Sequence, residues 1–201
     1  MSIEVIIGAE RERYVTSYIE ARTRLSASHE DIVGELLISI NNDAIPYPYR
    51  YVRADLVSKD ENGQPAFSEV RIDVDPAFEA RGYDFGAFQV EVYPFTWSSV
   101  QVVFDKEPRS LQQIEGWITR WLDVEDRRAS SDDGLSCAVH SFTQIETNGH
   151  WWFLTGDFGT APADALIEFV ELLASQGMSR IVLKSGNEPS ASDPHCIAAK
   201  G

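Results

Sequence analysis

The stretch "TNGHWWFLTGDFGTAPADALIEFVELLASQGMSRIVLKS" (residues 147–185) decides the fold. Asn148-Gly149 is a hairpin turn signal, because both residues accept the positive φ that a tight strand reversal needs. "HWWFLTGDF" (150–158) follows it, rich in the aromatic side chains that favour a pleated surface, and reads as a strand. The punctuation then becomes helical. Thr160 is the predicted N-cap, Pro162 sits in the first turn, acids cluster early, and Gly177 stands where a helix end takes a left-handed residue. "SRIVLKS" (179–185) closes the stretch as another strand. Short Gly-containing turns cannot make the long crossovers that parallel strands require. The predicted class is therefore α+β, with antiparallel hairpins packed against two to four helices.

Working outward, "LSCAVHSFTQIE" (135–146) reads as the partner arm of this hairpin, and "DRRASSDDG" (126–134) is a polar, small-residue break. The break suggests a region at 1–130 (helical N-terminus, two hairpins, helix), a strand–strand–helix–strand unit at 131–186 and a loose tail at 187–201. A single domain is the other arrangement the pattern allows. Before the break, "PRSLQQIEGWITRWLD" (108–123) reads as a helix whose apolar face is Leu111, Ile114, Trp117, Ile118, Trp121 and Leu122. "AFQVEVYPF" (87–95) and "SSVQVVFD" (98–105) read as one hairpin, and residues 48–74 as another around Asn62-Gly63. Residues 86–122 and 136–175 share the order strand, strand, helix, the basis for expecting two similar halves.

The N-terminus is less clearly patterned. Tyr14, Val15, Tyr18, Arg22 and Leu25 predict an amphipathic helix over 9–25, preceded by "IEVII" (3–7) as a short strand. Val33, Leu36, Leu37 and Ile40 fall at i, i+3, i+4 and i+7, which favours a second helix there with Ser28 as its N-cap.

The chain has 201 residues and a formal net charge of −15. Residues 1–100 hold nine basic and seventeen acidic residues, or −8, and the rest hold −7, so the acidity is not confined to a tail. Such a surface opposes binding to nucleic acid or to an anionic membrane and suits a basic partner. Two cysteines make no disulfide framework. No apolar run reaches the length of a membrane span and no basic leader opens the chain, so the expected location is cytoplasmic.

Two groups of residues carry the functional expectations. "RIDVDPAFEARGYDFG" (71–86) places Asp73, Asp75, Glu79 and Asp84 in one acidic stretch, the expected contact for a basic protein. His150, Trp151, Trp152 and Asp157 form the alternative, a ligand site with stacking aromatics and polar chemistry. In a strand, His150 and Trp152 share one face and Trp151 and Phe153 the other, which implies a sheet covered on both sides by a second layer or by a second copy in a homodimer. Cys137-x-x-His140 and His195-Cys196 are poorly spaced as a zinc set. No nucleophile elbow or phosphate loop occurs. Hence no catalytic residue, metal or cofactor is predicted. The expected function is an acidic, immunity- or inhibitor-like module that binds a basic protein. The alternative is an enzyme or small-molecule-binding protein whose site is assembled from scattered residues.

Overall fold

A computed structural model describes residues 1–29, 31–70, 72 and 78–186. Helix α1 (Ile3–Ser26) is followed by β1 (Val33–Ser39), β2 (Tyr51–Lys59) and β3 (Pro65–Ser68), which form one antiparallel sheet in the order β1-β2-β3. Then come β4 (Arg81–Asp84), β5 (Gln89–Val92), β6 (Val100–Phe104), α2 (Leu111–Leu122), β7 (Ser141–Phe142), β8 (Glu146–Thr147), β9 (Trp152–Asp157), α3 (Asp164–Ser175) and β10 (Arg180–Ser185). These strands build a second sheet in the order β4-β5-β10-β6-β9-β7, with β8 also on β9. The fold is α+β, with three helices among the described residues. None of those helices is long and apolar enough to cross a membrane.

The core follows from strand alternation. Val90 and Val92 of β5, Val100, Val102 and Phe104 of β6, Leu154 of β9, and Ile181 and Leu183 of β10 all join one buried cluster. Onto it pack Ile114, Trp117, Ile118, Trp121 and Leu122 of α2, and Leu166, Phe169, Val170 and Leu173 of α3. Trp117 stacks on Phe169 with ring centroids 4.4 Å apart, joining the two helices at their centre. Of the predicted α2 face only Leu111 is out of place, and it is exposed. Ser110 caps this helix by accepting from Gln113 N.

Several expectations need correction. "IEVII" is not a strand: Ile3, Ile6, Ile7, Glu10, Tyr14 and Tyr18 are the buried face of one continuous helix. Residues 33–39 are a strand rather than a helix, because β2 offers a full antiparallel ladder from Val33↔Val57 to Ser39↔Tyr51. Tertiary pairing outweighs a four-residue periodicity. Residues 87–105 are not a hairpin ladder. β10 inserts between their two strands, parallel to β5 and antiparallel to β6, and only the bridge Thr96↔Ser99 closes the turn. Thr160 does not cap α3. The N-cap is Ala163, without a side-chain bond, and Thr160 is used elsewhere. Gly177 does follow the end of α3 in the left-handed region, with φ 93°. The hairpins β2/β3 and β8/β9 form as expected.

Residue 140 links the two sheets through its backbone. His140 N donates to Asp157 O at 2.8 Å, at the end of β9, and Arg53 N of β2 donates to His140 O at 2.7 Å. The backbone at residue 140 therefore bridges β2 and β9, and its side chain is held at the junction.

Candidate functional site

At this junction four ionisable side chains converge from distant parts of the chain. Glu35 comes from β1, Asp55 from β2, His140 from the segment before β7, and Asp157 from the last residue of β9. His140 is the centre and is only 1% exposed. Its Nε2 lies 2.9 Å from Glu35 Oε1, and its Nδ1 lies 2.8 Å from Asp55 Oδ1 and 3.9 Å from Asp157 Oδ2. Nδ1 thus faces two carboxylates, with Asp55 as its close ion-pair partner.

Backbone geometry aims these groups. In the β1/β2 ladder Gly34 pairs Leu56 and Leu36 pairs Ala54, so Glu35 stands opposite Asp55, yet the two do not pair. Glu35 has φ 51°, which interrupts the ladder at that point. A non-glycine residue in this region costs about 1–2 kcal/mol. The carboxylate gains in return. It accepts from Ser136 N and Ser136 Oγ at 2.7 Å each, and from Thr160 Oγ1. Thr160 Oγ1 also accepts from Cys137 N at 3.0 Å, so its hydroxyl holds Glu35 to the loop before β7. Gly159 (φ 49°) lies against the His140 ring, where a Cβ would overlap Cδ2 and Nε2.

Asp55 is held as firmly. Its Oδ1 accepts from Tyr14 Oη at 2.9 Å and its Oδ2 from Val70 N at 2.6 Å. Tyr18 Oη donates to Asp55 O at 3.2 Å, so two tyrosines one turn apart on α1 clamp the same residue. Asp157 Oδ1 accepts from Gly159 N at 2.9 Å. Next to the network Arg53, with a 3% exposed side chain, donates to Glu35 O at 3.0 Å and to Asp126 Oδ1 at 2.9 Å, and bonds the last carbonyls of α2 at Leu122 and Asp123.

The electrostatics follow from these contacts. Burial opposes the charge on His140, but the hydrogen-bonding and charge of Asp55 and Glu35, with the charge of Asp157, raise it to about 10. Burial likewise opposes ionisation of Glu35 and Asp55, and the His140 contacts outweigh it and hold both below their ordinary values. Asp157 goes the other way. Burial and the neighbouring charge of Asp55 push it up to about 6 despite the attraction of His140. At neutral pH one cation thus faces two carboxylates and most of a third, an excess of negative charge.

This excess opens to solvent on one side. Asp55 and Asp157 line a cleft of about 630 Å³ between the two sheets, together with Thr96, Ser98, Ser141 and Phe67. The Asp157 side chain is 26% exposed and the Asp55 side chain 8%. His140 and Glu35 lie behind them.

The residues singled out in the sequence are distributed differently. Asp73 and Asp75 lie outside the described residues. Glu79 and Asp84 are exposed, at and just before the edge strand β4. His150 is exposed in the β8/β9 turn, where Asn148 Oδ1 accepts from the backbone of His150 and Trp151. Trp152 packs on the core, and Trp151 lies under Arg180, 5.4 Å from its guanidinium. Asp157 lies seven residues on from His150, at the opposite end of β9. Of that foursome only Asp157 reaches the junction. Glu35 and Asp55 carry no local sequence signal. Each sits singly in a strand, and only the ladder and the bridge at residue 140 bring them together. No family model, curated protein or solved structure matches the chain.

Proposed function

We propose that the protein works through this cleft, as an enzyme or receptor for a small polar molecule, with a site assembled from scattered residues. The observation that carries the reading is the convergence of Asp55, His140 and Asp157 at the base of an open, hydroxyl-lined cleft. Buried ionisable groups with displaced titration, facing a cleft, are the usual makings of a working site. Asp157 is the group suited to proton transfer, since a carboxyl that titrates at about 6 can both hold and release a proton near neutrality. Asp55 stays ionised beside it, and His140 and Glu35 fix its position. The test is thermal-shift screening of the intact chain against small polar compounds, comparing the natural protein with Asp157→Asn and Ser141→Ala. Compounds that stabilise the natural protein and lose at least most of that effect in both variants support the reading. A screen in which no compound discriminates the natural protein from the variants overturns it.

A second reading is favoured by a separate observation, the net charge of −15 with Glu79 and Asp84 exposed by a sheet edge. On this reading the chain is an acidic module for a basic protein, steered by charge. Capture from native lysate at low salt, with loss at moderate salt, supports it. Retention unaffected by Glu79→Gln and Asp84→Asn removes this face as the contact.

A further inference from the structure

We propose that Asp55, His140 and Asp157 form a binding site for one divalent transition-metal ion at the base of the cleft. The inference rests on the cleft being the working site and names what it holds. Three observations carry it.

The first is the donor set. One imidazole nitrogen and two carboxylate oxygens lie within 4.8 Å of one another. Bonds of about 2.0–2.2 Å to a shared ion put donors at most about 4.4 Å apart. His140 Nδ1 lies inside that limit from both carboxylates, 2.8 Å from Asp55 Oδ1 and 3.9 Å from Asp157 Oδ2.

The second is His140 Nδ1. It is buried, and both carboxylates converge on it, Asp55 Oδ1 at 2.8 Å and Asp157 Oδ2 at 3.9 Å. A single N–H can serve only one of them. An ion in place of that proton joins all three donors.

The third is the outer arrangement. A ligating histidine almost always gives its other ring N–H to a carboxylate or carbonyl, and ligating carboxylates are themselves hydrogen-bonded. Here Glu35 takes Nε2 of His140, Tyr14 and Val70 donate to Asp55, and Gly159 donates to Asp157. Every donor residue is held from behind, while the open side faces the cleft.

Nitrogen with oxygen ligands suits zinc, manganese, iron or cobalt better than calcium or magnesium. Three protein ligands leave coordination positions for water or substrate, as in catalytic rather than structural sites. The ion would polarise a bound group or activate a water beside Asp157.

The experiment is titration of the chelator-treated full chain with Zn²⁺ and Co²⁺ by calorimetry, with Mg²⁺ and Ca²⁺ as comparators and the visible absorption of Co²⁺ as a second readout. The expected result is one Co²⁺ or Zn²⁺ per chain, a raised thermal midpoint, and weak or no response to Mg²⁺ and Ca²⁺. Glu35→Gln should weaken binding about 10- to 100-fold, the range for an outer partner, and Asp157→Asn should weaken it more. Circular dichroism confirms that Asp157→Asn stays folded. His195→Gln with Cys196→Ser removes the other His/Cys pair of the chain and should leave binding unchanged. Binding that survives Asp157→Asn, or disappears with His195→Gln and Cys196→Ser, overturns the proposal, as does the absence of any one-to-one binding. If no ion binds while polar compounds still stabilise the protein through Asp157, the metal fails and the cleft reading stands. If an ion binds and no compound does, the cleft reading fails and the metal stands.

Discussion

Glu35 and His140, 105 residues apart in the chain, form a fully buried ion pair at 2.9 Å that ties the three-stranded sheet to the seven-stranded one. His140 also faces Asp55 at 2.8 Å and Asp157 at 3.9 Å, so it is one cation among several carboxylates. Glu35 is held by Ser136 and Thr160, and His140 is fixed through both its backbone N–H and its carbonyl. Replacing His140 leaves the buried carboxylates of Glu35 and Asp55 without their cation, which costs about 3–5 kcal/mol. His140→Gln is therefore expected to lose stability on that scale in urea unfolding. A change below about 1 kcal/mol, the range of an exposed pair, would show that the pair is not buried in solution.

Gly159→Ala should be among the most damaging small substitutions in the protein. The added methyl would overlap the His140 ring, and φ at 159 is 49°. Overpacking costs about 1–3 kcal/mol and the left-handed backbone adds to it. Gly149→Ala has φ 90° and open space, so it isolates the backbone share. The expectation is a clearly larger loss at 159 than at 149 by thermal unfolding. Equal losses would mean that the ring does not lie against the glycine.

The pH dependence of the metal-free protein has a definite sign. The His140 value rises from 6.5 to about 10 on folding. Its contribution is fully present below about 6.5 and is lost as pH climbs through about 10. Asp157 rises from 3.8 to about 6, so its folded state also favours the proton and loses that advantage between those values. Glu35 and Asp55 are lowered, and their contributions are lost in acid. Chemical denaturation at intervals from pH 4 to 10 should show stability falling across the alkaline limb. A flat profile from pH 6.5 to 10 would contradict the burial of a charged His140.

Arg53→Met tests the neighbouring support. The guanidinium closes α2 at Leu122 and Asp123 and reaches Glu35 O and Asp126. Methionine keeps most of the packing and removes every donor, leaving helix-end carbonyls unpaired at about 1–3 kcal/mol. Asp126→Asn, on an exposed partner, should cost far less. The two are compared by urea midpoints, and equal effects would place the contribution of Arg53 at the surface.

Trp151→Ala is the contrasting case. Trp151 lies under Arg180 at the far end of β9 from Asp157. The substitution is expected to cost about 0.5–1 kcal/mol, the range of an exposed cation–π contact, and to leave any ligand or metal response of the cleft unchanged. A lost response would extend the site along the strand to the tryptophans.

The sequence by itself determined the elements whose signals are local. The helices at 111–122 and 164–175 follow from a continuous apolar stripe, and the turns at Asn62-Gly63 and Asn148-Gly149 from backbone preferences of the residues themselves. The α+β class follows from their order. What only the tertiary structure decided was long-range pairing. Residues 33–39 carry an ambiguous apolar pattern, and the ladder with β2 settles it as strand. β10 separates β5 from β6 because a strand distant in sequence pairs with both, which no local pattern encodes. The site is the extreme case. Asp157 was visible as a polar residue near the aromatics, but Glu35 and Asp55 are single acids among 32. They become distinctive only when two sheets meet at residue 140 and exclude water from four titratable groups, since it is desolvation at close range that turns ordinary carboxylates into a strongly coupled set.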